Sequence, residues 1–169
     1  SLPLLVRSIA SMWQSATGAG AGPLRREEQD LNPKFVFAGI AALIVALLFL
    51  PHVEVGFFGA LLIAILIALF GFFFVAVTSR IVGIVGGSSC PVSGMTIATL
   101  LACTAMLRLA GFSGDSGKLA ALSIGAVVCI AISMAADTSQ DLKTGYLVGA
   151  TPNRQQIGEL IGVLASAIF

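Results

Sequence analysis

The sequence predicts an all-α fold, a polytopic transmembrane helical bundle containing one broken or re-entrant helix. Three observations carry that expectation. Apolar residues make up 57% of the 169 residues and charged residues only 10%, a balance that no water-soluble domain of this size needs for its core. Long apolar runs recur along the chain, several approaching the roughly 20 helical residues that cross a bilayer. One segment between two such runs is crowded with glycine, serine and proline, which punctuates a helix instead of continuing it.

The same composition excludes several classes of function. A net charge of +1 implies neither nucleic acid nor an acidic partner. Cys90, Cys103 and Cys129 each lie in or beside an apolar segment without the spacing of a metal or redox pair, so they read as small buried hydrophobes and no metal or other cofactor is expected. Gly83, Gly86 and Gly87 do not have phosphate-loop or dinucleotide spacing, and no strand precedes them. An enzyme is not expected either. Pro91-Val92-Ser93-Gly94 offers a serine in a membrane setting, but no histidine follows it and His52 falls on the opposite membrane face.

Taken in order, residues 1–17 mix Leu2, Leu4, Leu5, Ile9 and Trp13 with Arg7, Ser11 and Gln14, which fits either an interfacial helix or the end of a truncated span. Residues 17–33 hold Gly18, Gly20, Gly22, Pro23 and Pro33 around the charges Arg25-Arg26-Glu27-Glu28, an aqueous loop that closes the first region at residue 33. The membrane region, 34–169, follows. Spans are expected over about 35–50, 55–78, 95–109 and 118–136, with His52 and Glu54 in the first turn and Gly111 to Gly117 in a later one. Residues 79–94 form the broken or re-entrant segment. A polar run occupies 137–156, and an apolar run from Ile157 stops after 13 residues, a truncated span that makes the chain look like a fragment. Small residues at four-residue spacing, such as Ala121 and Gly125 or Gly158 and Gly162, are expected to let helix backbones approach closely.

Basic residues set the orientation. Arg7, Arg25, Arg26, Lys34, Arg80, Lys143 and Arg154 fall on one face and Arg108 and Lys118 on the other, so the first face should be cytoplasmic. That assignment requires residues 79–94 to return to the face they left.

Two segments carry candidate chemistry. In the first, glycines permit an unwound backbone and Pro91 suits the first turn of a new helix. Such backbone survives at membrane depth only against protein or a wet cavity, so Ser88, Ser89, Cys90, Ser93, Gly94 and Thr96 become candidate substrate contacts. A flexible loop between two spans fits the same residues. In the second, Asp137 and Asp141 lie four apart and would share a helix face, with Gln140 and Thr144 alongside, Lys143 close enough to pair and Tyr146 following. A desolvated carboxylate at a membrane edge can hold a proton, the requirement for coupling or gating. Asp137 as the N-cap of a cytoplasmic helix is the alternative. Glu159, inside the last apolar run, should face a bundle interior or a cavity.

Two stretches, Gly87-Ser88-Ser89-Cys90-Pro91-Val92-Ser93-Gly94-Met95-Thr96 and Asp137-Thr138-Ser139-Gln140-Asp141-Leu142-Lys143-Thr144-Gly145-Tyr146 continuing to Pro152, resemble the oligopeptide transporter family, including its bacterial members and the plant yellow-stripe-like branch. The resemblance covers residues 70–169 well. Cys90 departs from the family's frequent asparagine before the proline. The resemblance implies a fragment from the second half of a larger secondary active transporter, a multi-pass protein of the bacterial inner membrane. It would carry small peptides, or metal chelates and other peptide-like solutes, by proton symport. Its partners would be that substrate, protons, the lipid bilayer and the remainder of the full-length transporter. A non-transporting structural or assembly module in the membrane is the competing reading.

Overall fold

The computed structural model describes residue 26 and residues 29–48, 56–86 and 90–169. The expected N-terminal helix over 1–17, most of the loop after it, the His52 and Glu54 turn, and Gly87, Ser88 and Ser89 lie outside the described residues. Five helices make up the described chain: α1 Pro33–Leu48, α2 Gly56–Val85, α3 Val92–Leu109, α4 Asp115–Leu147 and α5 Pro152–Ile168. The fold is all helical, with no strand among the described residues. Within these helices, three stretches are long and apolar enough to cross a membrane, Phe58–Val85, Val92–Leu109 and Asp115–Leu147. At about 1.5 Å per residue, α2 and α4 are roughly 45 and 50 Å long, well over the ~30 Å of a hydrocarbon core. Helices α1 and α5, at 16 and 17 residues, are shorter than a typical span.

The chain divides into two compact units, Ala42–Ser139 and the pair Ser1–Ala41 with Gln140–Phe169. The first unit is built on α2, α3 and most of α4. Its core joins Ile63, Leu66 and Ile67 of α2 to Cys103 and Leu107 of α3 and to Ala120, Ala121, Ile124, Val128 and Ile132 of α4. The early part of α2 therefore meets the late part of α3 and the early part of α4. At the other end, the Thr78 hydroxyl donates to Met95 Sδ (3.1 Å) and the Ser139 hydroxyl donates to the Ser79 carbonyl (2.7 Å). Helix α3 thus runs antiparallel to α2 and α4. The segment from Ser79 turns back at the end of α2, which puts Arg80 at one end of the unit and Arg108 and Lys118 at the other. The break is also shorter than the sequence suggests. Residues 79–85 complete α2, and Val92 already opens α3.

Lipid offers no hydrophobic drive between helices, so close backbone approach and hydroxyls must hold this unit together. At Gly125, buried on α4, the Leu100 side chain lies where a Cβ would stand. A Cβ on Gly83 would come within 3.2 Å of Ser139 Oγ. The Thr96 and Thr99 hydroxyls donate to the carbonyls of Val92 (2.8 Å) and Met95 (2.9 Å), one turn back, which satisfies them without a neighbouring helix.

Helices α3 and α4 end alike. After α3, the Phe112 N–H bonds the Leu107 carbonyl (2.9 Å) and the Gly111 N–H that of Arg108 (3.1 Å). After α4, the Ala150 N–H bonds the Gly145 carbonyl (2.8 Å) and the Gly149 N–H that of Tyr146 (3.3 Å). Both are Schellman closures, which need a left-handed residue, and Gly111 (φ 87°) and Gly149 (φ 72°) supply it. Helix α1 opens with an Asn32 cap, whose Oδ1 accepts the Lys34 N–H (3.1 Å), and with Pro33 at its first position.

Candidate functional site

Helix α4 does not stop where its apolar stretch stops. The 19 residues from Lys118 to Ala136 cover about 28 Å, close to a hydrocarbon thickness, and the helix continues through the polar run to Leu147 for roughly 16 Å more. Asp137 is therefore inside the helix and cannot be its N-cap. Asp137 and Asp141 are both exposed and stand one turn apart on one face. Gln140 is exposed beside them, and the Thr144 hydroxyl donates to the Gln140 carbonyl (3.0 Å). Lys143 makes no ion pair with either aspartate. It lies two positions beyond Asp141 and six beyond Asp137, about 160° and about 120° around the helix from them. Tyr146 is exposed near the helix end.

The expected substrate contacts separate into two orientations. Ser93 and Gly94 are exposed on the first turn of α3. Cys90 is half-buried and packs against the core, and Thr96 is half-buried with its proton committed to Val92. Pro91 occupies the N-cap position of α3, one residue before the first helical position, and its carbonyl accepts the Met95 N–H (3.1 Å). An inward residue of this set acts on a solute only through the backbone nearby.

The polar residues most engaged with one another were not singled out from the sequence. They lie in the second unit, where the segment before α1 meets the start of α5. Arg26 Nε donates to the hydroxyl of Thr151 (2.9 Å), the buried N-cap of α5. The Asn153 N–H, left without an intrahelical acceptor at the helix start, bonds the Gln29 carbonyl (3.0 Å). Gln156 receives the Leu31 N–H on Oε1 (3.0 Å) and donates through Nε2 to Asp30 Oδ1 (3.3 Å). Its neighbour Gln155 reaches the other way, donating to the Asp141 carbonyl (3.1 Å) with its amide lying over Gly145 where a Cβ would stand. The first turn of α5 thus joins the end of α4 to the segment before α1. Glu159 follows on α5, half-buried. Thr151-Pro152 was a readable cap signal, but the partners of Gln155 and Gln156 were not readable, because glutamine before an apolar helix is ordinary.

This clasp gives a direct expectation. Gln156→Leu should remove both contacts to the 30–31 segment at ~1 kcal/mol each, speeding hydrogen exchange at the Leu31 amide by about thirtyfold in the full-length protein. Unchanged exchange there would mean that Gln156 does not hold the segment.

The family model described as OPT oligopeptide transporter protein matches residues 3–169. The chain belongs to that family. A Haemophilus influenzae protein named "Putative oligopeptide transporter" is 28% identical over 182 aligned residues, covering 97% of this chain. The chain spans 29% of that relative's length, and no solved structure matches it. The OPT match includes both polar segments described above, the α2–α3 connection and the continuation of α4 into α5. Among the described residues, no group of three or more His, Cys, Asp or Glu is placed to hold a metal ion.

Proposed function

We propose that the full-length protein is a secondary active transporter that moves small peptides, or metal chelates and other peptide-like solutes, in symport with protons. The single observation that supports this most is the continuity of α4. An uninterrupted helix links an apolar span to a face bearing Asp137 and Asp141, so protonation there acts on a rigid element that crosses the bilayer. Clasped to the far end of that helix, α5 offers a lever whose position follows α4. Ser93 and Gly94, exposed at the start of α3 beside an interrupted backbone, are the proposed solute contacts. In this scheme the polar end of α4 faces the cytoplasm of a bacterial inner membrane, as the distribution of basic residues favours.

The test is proton movement. Full-length protein in liposomes carrying a trapped pH dye should acidify the lumen when tri-alanine, glutathione or ferric citrate is added outside. Uptake of any of these without acidification would remove proton symport from the reading. Absence of uptake for all three would remove the proposed solute class.

A further inference from the structure

Thr78 spends its hydroxyl differently from Thr96, Thr99 and Thr144. Those three donate to the carbonyl four residues back in their own helix, at 2.8, 2.9 and 3.0 Å, a common way to satisfy a helical hydroxyl. Thr78, fully buried in α2, instead donates across the helix contact to Met95 Sδ (3.1 Å). A thioether is a weak acceptor, and the Phe74 carbonyl stands one turn back in the relation the other threonines use. Threonine populates two χ1 rotamers in a helix because its hydroxyl reaches such a carbonyl. The buried hydroxyl of Thr78 therefore has two acceptors, one on α3 and one on its own helix.

The two sides of this bond are not held alike. On α2, the carbonyl of the next residue, Ser79, accepts the Ser139 hydroxyl of α4 (2.7 Å), and Val82 one turn on is buried. Thr78 thus stands on a turn that α4 also fixes. Met95 lies in the first turn of α3, where its N–H bonds the Pro91 carbonyl (3.1 Å) and its own carbonyl takes the Thr99 hydroxyl. Its backbone bonds stay within the start of α3, and its sulfur carries the hydrogen bond from α2. Ser93 and Gly94, both exposed, come immediately before it.

We propose that Thr78 is a positioning residue for Ser93 and Gly94, an inference that rests on the reading of those two residues as solute contacts. With its hydroxyl on Met95 Sδ, Thr78 holds the first turn of α3 to α2 and keeps the contacts set for solute. With its hydroxyl turned back to the Phe74 carbonyl, it releases that turn without leaving a buried donor unpaired. Solute binding selects the held position, and its apparent affinity follows the fraction of the protein that is held.

Hydrogen exchange at the residue-95 amide of the full-length protein reads the hold with no solute present. Thr78→Val keeps the side-chain shape and removes the donor, and should speed that exchange about threefold, the worth of one weak hydrogen bond. The Cys103 and Leu107 amides, farther along α3, should keep their wild-type rates. Met95→Leu should match Thr78→Val, Thr78→Ser should restore the wild-type rate, and the double variant of Thr78→Val with Met95→Leu should exchange no faster than either single one. Wild-type exchange in Thr78→Val, or additive effects in the double variant, would overturn the proposal. In liposomes, the half-saturating concentration for exchange of tri-alanine, glutathione or ferric citrate should rise about threefold in Thr78→Val at an unchanged maximal rate, and return in Thr78→Ser. A reduced maximal rate at wild-type half-saturation would overturn the positioning role. The amide measurement needs no solute, so failure of this link and failure of the transport reading are told apart.

Discussion

Asp141→Asn should abolish pH-driven accumulation of solute by the full-length protein while leaving solute exchange across the membrane at equal concentrations intact. A gradient of about one pH unit stores ~1.4 kcal/mol per proton, which at one-to-one coupling sustains about a tenfold concentration ratio. The variant should bring that ratio down to about one. Asparagine keeps the size of the side chain and removes only its titratable proton. The Gln155 contact is made to the backbone carbonyl of Asp141 (3.1 Å), so the link between α4 and α5 survives the change, and a loss of accumulation would report on the carboxylate and not on the fold. Asp137→Asn, one turn earlier on the same face, identifies the principal proton carrier by comparison. A wild-type accumulation ratio in both variants would remove this face from the coupling scheme.

Gly125→Val should destabilise the α3–α4 contact by about 1–3 kcal/mol, the usual cost of forcing extra carbons into a packed site. The Leu100 side chain occupies the space above Gly125, with its Cγ 2.9 Å from where a Cβ would stand. Valine, branched at Cβ, leaves Leu100 only the option of moving outward and losing its contacts. Thermal unfolding of the full-length protein measures the effect, and the cycle with Leu100→Ala isolates the clash. The double variant should recover most of the loss relative to Gly125→Val alone. Strict additivity would mean that the two side chains do not meet.

Much of this protein is legible from adjacent residues. Membrane character, helices over the apolar runs and the interruption near Gly86 and Pro91 all depend on composition and local backbone chemistry. The polar run expected over 137–156 continues α4 to Leu147, turns at Gly149 and opens α5 at Pro152. Its two aspartates were legible as one helix face, but not as part of the same unbroken helix as the apolar span, because residues such as Gln140 and Lys143 suit a separate cytoplasmic helix equally. The inward turn of Cys90 and Thr96 was equally hidden. A membrane helix apolar on most sides has little asymmetry to tell which side faces a neighbour.

Composition by itself determined that this chain builds helices in a membrane, and motif by itself gave the family it resembles, since both are written in consecutive residues. Only the tertiary structure decided that α3 runs antiparallel to α2 and α4, that Leu100 rests on Gly125, and that Gln156 ties α5 to residues 126 and 125 positions earlier. Those contacts depend on how each helix is rotated about its axis. Rotation is set by side-chain interlock and scattered hydroxyls, because surrounding lipid rewards every apolar face alike.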